Sequence, residues 1–263
     1  MGTVVSADGT SIAYERHGDS GPAVVLVGGT LMTQGRHAPL AELLARDFRV
    51  HNYDRRGRGG SGDHPVYDVE REIDDLNAVI ASTGGPVLLF GMSSGAVLAL
   101  EAVARGSAVS ALALYEPPLI LDASRPPLPP DYVERLTDLL ARDDVDGALT
   151  HFLTVGLALP PQAVDTLRDG PAWPAWRTVA RTLPYDGLLM RDLMSGRPLP
   201  PDRWRGIDIP VLVGHGGASE AYMVNAAEQL AARSEHFTLH TFPGQDHAVD
   251  PHALAPVLAE FFA

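Results

Sequence analysis

The sequence predicts an α/β protein with a mostly parallel, doubly wound sheet and an inserted helical cap. Three observations carry this expectation. Short β-rich runs alternate with helix-period segments, the central runs are apolar enough to be buried on both faces, and one long stretch punctuated by proline lacks strand character. At 263 residues, 45% of them hydrophobic, the chain has room for one large core and an insertion.

The first residues alternate as a strand pair does, where a signal peptide would be apolar. Strands are then expected at Val24 to Val27, Val50 to Tyr53, Val87 to Phe90, Leu112 to Tyr115, Val211 to Val213 and Thr238 to Phe242. After the second of these, Asp68 is placed to cap a helix whose Val69, Ile73, Leu76 and Ile80 recur at helical spacing. From Pro117 to about Gly206 the chain reads as helices broken by prolines, among them Asp131 to Ala141 and Pro161 to Leu167. This divides it into a core of residues 1–117 and 207–263 and a cap of residues 118–206. Phe152, Trp173, Trp176, Tyr185 and Met190 of the cap are candidates to line an apolar pocket, although packing inside the cap is the plainer reading of each. Near the end, Asp250 can cap a helix that starts at Pro251 and carries Leu254, Val257, Leu258 and Phe261 in one stripe.

Composition removes several chemistries. The 20 basic and 33 acidic residues give a net charge of −13 without long like-charge blocks, which argues against a nucleic-acid or anionic-membrane partner. No stretch approaches the roughly 20 apolar residues of a membrane span, so a cytoplasmic location and a small-molecule substrate are expected. Cysteine is absent, and so is lysine, because every basic residue is arginine. Thiolate nucleophiles, iron–sulfur clusters, Schiff bases and phosphate-loop lysines are thereby excluded. Serine, histidine and carboxylates remain to do chemistry. No pair of histidines has metal-ligand spacing, and neither a cofactor nor a metal is expected.

The run from Pro86 to Leu100 joins a buried strand, the pentapeptide Gly91-Met92-Ser93-Ser94-Gly95 and a helix in direct succession. A strand that turns abruptly into a helix strains the central residue, and the flanking glycines remove Cβ atoms that would collide there. Ser93 is thus the candidate nucleophile. Another glycine run, Gly57-Arg-Gly59-Gly60-Ser-Gly62, matches a dinucleotide-binding fingerprint literally, but no helix opens behind it and a turn is expected instead.

On these motifs the chain resembles the α/β-hydrolase family over nearly its whole length. The resemblance implies an oxyanion hole made by the N–H groups of Ser94 and of Thr30, in Val27-Gly28-Gly29-Thr30-Leu31, where the family often has His-Gly at the place of Gly28-Gly29. It also implies that His247, after the last strand, is the general base. Leu31 and Met92, beside these groups, join the cap aromatics as expected substrate contacts. The family's usual acid, an aspartate after the seventh strand, is replaced by Ser219, with Glu220 one residue late. Glu116, directly after the sixth strand, matches the acid position of zearalenone-type lactonases and is preferred over Glu220 and Asp246. The expected activity is cofactor-free hydrolysis of a carboxylic ester or lactone with a largely apolar body. A non-hydrolytic enzyme of the same fold (lyase, cyclase or acyltransferase) and a catalytically silent ligand-binding protein are the alternatives.

Overall fold

The computed structural model describes residues 1–263. Eight strands form one sheet: β1 (Gly2–Val5), β2 (Ser11–His17), β3 (Ala23–Val27), β4 (Arg49–Tyr53), β5 (Val87–Met92), β6 (Val109–Tyr115), β7 (Val211–Gly216) and β8 (Phe237–Phe242). Their spatial order is β1-β2-β4-β3-β5-β6-β7-β8. The β1–β2 and β2–β4 pairings are antiparallel, and every pairing from β4 to β8 is parallel. All six strands read from the sequence are present, each longer by one to three residues.

Ten α-helices accompany the sheet: α1 (Gln34–Leu44), α2 (Val69–Ser82), α3 (Ser94–Ala104), α4 (Tyr132–Ala141), α5 (Val145–His151), α6 (Pro161–Arg168), α7 (Ala172–Val179), α8 (Leu183–Met190), α9 (Ala221–Ala231) and α10 (Pro251–Phe262). Strand periodicity divides the apolar residues between two layers. Val24, Leu26, Leu88 and Phe90 pack with residues of α1 and α10, whereas Val25, Val27 and Leu89 pack with residues of α2, α3 and α9. The side chain of Asp68 accepts from the Glu70 N–H at 2.9 Å and that of Asp250 from the His252 N–H at 2.8 Å, so both expected caps form. One detail of the last helix differs from expectation. Phe262 is the buried ring and Phe261 lies half-buried, because Phe262 shares a face with Leu254, Ala255 and Leu258.

Between β6 and β7 the chain carries α4 to α8 joined by loops and no strand, with a π-helical turn at Phe152–Gly156 after α5. These helices bury an apolar cluster of their own, which includes Leu136, Leu149, Leu153 and Leu183. No helix of the chain is long and apolar enough to cross a membrane. Parallel pairing sets Met92 opposite Tyr115 and Tyr115 opposite Gly214, so the residues that follow β5, β6 and β7 gather along one edge beneath the inserted helices.

Candidate active site

Ser93 is the first residue past β5 and precedes α3 directly. Its φ of 56° and ψ of −128° lie where L residues carry strain, a conformation that costs on the order of 1–3 kcal/mol. Neighbouring backbone leaves no room for side chains on either side of it. A Cβ on Gly91 would lie 2.6 Å from the Gly95 oxygen, and one on Gly95 would lie 2.4 Å from the Val27 oxygen. Leu31 and Glu116 also have positive φ, so backbone strain is concentrated along the same edge as Ser93.

Glu116 stands one residue past β6, with its N–H donated to the Gly214 oxygen at 3.0 Å. The side chain is fully buried. One carboxylate oxygen, Oε2, is 2.7 Å from His247 Nδ1, and Oε1 accepts from the Gly216 N–H at 2.8 Å and from the Ser219 hydroxyl. Burial pushes the Glu116 carboxyl up, but the bonds from His247, Ser219 and Gly216 outweigh it and hold the group below its ordinary value. Ser219, the residue at the family's usual acid position, therefore serves as a donor to the Glu116 carboxylate behind the neighbouring strand. His247 comes from the loop after β8, fixed where the Tyr115 hydroxyl donates to the Asp246 carbonyl at 2.6 Å. Asp246 turns its carboxylate to the Ala248 N–H, and Glu220 sits at the start of α9 without a bond to the imidazole.

Ser93, His247, Thr30 and Ser94 line one cavity of about 600 Å³, within the roughly 300–1,000 Å³ typical of small-molecule sites. Ser94 opens α3 and so has no helical carbonyl four residues back for its N–H. Neither this N–H nor that of Thr30 donates within the protein. A hydroxyl, an imidazole anchored by a carboxylate and two free backbone donors are the groups needed to attack a carbonyl and hold the resulting oxyanion. No cluster of three histidine or acidic side chains has the geometry to hold a metal ion.

The inserted helices close the cavity with Phe152, Leu157, Trp176, Leu183 and Met190, and Leu31 adds to the wall from the core. Three expected contacts are displaced from it. Met92 follows strand alternation and faces the α1–α10 layer, away from the cavity that Ser93 lines. Trp173 is buried in the core of the inserted helices, its indole N–H donated to Asp146 at 2.9 Å. Tyr185 stacks on Tyr67 at 4.1 Å between centroids and donates its hydroxyl to Asp63 at 2.7 Å, away from the cavity.

The glycine-rich loop after β4 holds what sequence reading missed. It is a turn, as expected, but its arginines 55, 56 and 58 are fully buried. Arg55 forms a two-pronged pair with Glu72, and Arg56 pairs with Asp75 in the same way. Arg55 and Arg58 converge on Asp186 of α8, at 2.8 and 2.7 Å. Burial raises the Asp186 carboxyl, and Arg58 and Arg55 more than offset this to hold it below its ordinary value. The available signal was on α2, where Glu72 and Asp75 flank Ile73 and Leu76 on the buried face.

The sequence profile of the alpha/beta hydrolase family matches residues 24–260, and the chain belongs to that family. A crystal structure of an alpha/beta hydrolase from Sphaerobacter thermophilus is 51% identical, covers 100% of both chains and superimposes with a TM-score of 0.93. A non-heme haloperoxidase from Rhodococcus erythropolis is 26% identical over 95% of this chain and 93% of its own. A pimeloyl-[acyl-carrier protein] methyl ester esterase from Xanthomonas campestris is 33% identical over 64% of this chain and 62% of its own.

Proposed function

We propose that the protein is a serine hydrolase of a carboxylic ester or lactone whose body is largely apolar. The observation that carries this reading is the meeting of the strained Ser93 and the Glu116-bound His247 at one cavity whose far wall is aliphatic and aromatic. His247 takes the Ser93 proton as Oγ attacks the carbonyl carbon. Glu116 fixes the imidazole tautomer with Nδ1–H toward itself and stabilises the cation that forms. The N–H groups of Thr30 and Ser94 receive the oxyanion. Collapse of the tetrahedral intermediate passes the proton from His247 to the leaving alcohol. Water, activated by the same ring, then releases the acid from Ser93. The ester-cleaving relative from Xanthomonas supports the reaction class, and the apolar wall supports the body of the substrate.

Incubation of the folded protein with a fluorophosphonate probe tests the reading. Ser93 should be labelled, labelling should vanish in Ser93→Ala, and short p-nitrophenyl esters should be turned over with one oxygen from labelled water entering the acid. Folded protein that leaves the probe untouched would refute it.

A further inference from the structure

The two oxyanion donors are joined by their side chains, and the junction leads into the inserted helices. The Thr30 hydroxyl donates to Ser94 Oγ at 3.1 Å, and the Ser94 hydroxyl donates to Asp186 Oδ1 at 2.7 Å. Arg55 Nη1 lies 3.2 Å from Ser94 Oγ and 3.3 Å from the Gly28 carbonyl, and Arg58 Nη1 donates to the Gly29 carbonyl at 2.6 Å. Those two carbonyls belong to the residues immediately before Thr30. One buried carboxylate therefore bonds directly to Ser94 and, through two guanidiniums, reaches the peptide units that aim the Thr30 N–H.

Asp186 is the anion these guanidiniums share. Glu72 satisfies the other edge of Arg55, whereas Arg58 has only the neutral Thr182 hydroxyl besides Asp186 and the Gly29 carbonyl. Without the carboxylate the two cations would repel one another in a medium that screens poorly, and the glycine carbonyls they hold would move with them. We propose that Asp186 is a positioning residue for the oxyanion hole, keeping the Thr30 and Ser94 backbone in register through the Ser94 hydroxyl and the Arg55 and Arg58 guanidiniums. The proposal rests on the ester-hydrolase reading of Ser93. It makes the inserted helices a structural part of the catalytic geometry as well as a wall of the pocket, because the residue at issue sits on α8.

The test is kinetic, on p-nitrophenyl butyrate, with butylboronic acid as a reporter whose tetrahedral adduct on Ser93 places an oxygen in the hole. Ser94→Ala keeps the backbone donor and every ion pair while cutting the hydroxyl link. Its kcat should fall about tenfold to hundredfold with KM within about twofold, since a donor displaced by a fraction of an ångström acts on the transition state alone. Affinity for butylboronic acid should fall by a matching factor. Asp186→Asn should show the same split with a larger loss and a lower melting temperature. Folded Ser94→Ala with kcat and boronate affinity both within twofold of the parent overturns the proposal while leaving the ester-hydrolase reading intact. A parent protein that neither labels at Ser93 nor turns over the ester overturns both.

Discussion

Two buried carboxylates flank Ser93, and they are held in opposite ways. Glu116 faces an imidazole that is 41% exposed and able to gain and lose a proton, with backbone and hydroxyl donors filling its other oxygen. Asp186 faces two guanidiniums, Arg55 held, against burial, above its ordinary value by Glu72 and Asp186, and Arg58 drawn below its own by burial and by Arg55, both remaining cations near neutral pH. The first arrangement suits a site where charge must move during a reaction. The second suits a site where charge must stay fixed while something is aimed. Both carboxyls lie below their ordinary values, so a lowered pKa alone does not distinguish a carboxylate that assists proton transfer from one that braces backbone.

The sharpest way to break this comparison is Glu116→Gln. The amide keeps the shape and loses the charge, and kcat should drop by about 10³- to 10⁴-fold with the fold retained, as measured on the p-nitrophenyl ester. Glu72→Gln attacks the fixed cluster instead. It leaves Arg55 with one anion in place of two, and urea denaturation should report a loss of about 3–5 kcal/mol. Ser219→Ala removes one donor from Glu116 and should lower kcat by about tenfold to hundredfold, the worth of a single hydrogen bond to a charged group.

Acid provides a further separation of the two. Glu116, Glu72 and Asp186 release protons more readily folded than unfolded, so the unfolded chain takes up more protons as the solution is acidified. Their stabilisation is complete above the ordinary values of 4.5 for glutamate and 3.8 for aspartate and is lost as pH falls below them. Two of the three belong to the arginine cluster. Glu116→Gln should therefore keep most of the parent's fall in melting temperature on acidification, and a variant whose melting temperature no longer depends on acid would contradict the division. The smallest effect is expected from Glu220→Gln, with kcat within about twofold, because its carboxylate makes no bond to His247 and exposed charges contribute little.

Local pattern made the layers and the candidate site groups legible. Val24 to Val27 and Val87 to Phe90 are apolar at every position, as strands buried on both faces must be, and Ser93 stands where a strand runs straight into a helix. Glu116 stood out because it directly follows an apolar strand and matches the acid position of zearalenone-type lactonases, and it meets His247 in the structure. Met92, Trp173 and Tyr185 could not be assigned, since residue type does not say which way a side chain faces. Met92 was turned away by strand alternation, Trp173 by helix packing, and Tyr185 by a stacking partner 118 residues earlier, Tyr67. The burial of arginines 55, 56 and 58 in the expected turn could not be read, because their neutralising acids come from Asp8, α2 and α8, too far along the chain for spacing to reveal.

The pairing of Asp186 with the core has a bearing on recombination. Exchanging the segment between β6 and β7 for that of a relative is a natural route to new substrate ranges, as the join lies at two strand ends. A donor segment without an acidic side chain at the Asp186 position would leave Arg58 unneutralised in the interior. Chimeras of this enzyme should therefore be chosen first for that single complementarity and only afterwards for pocket shape.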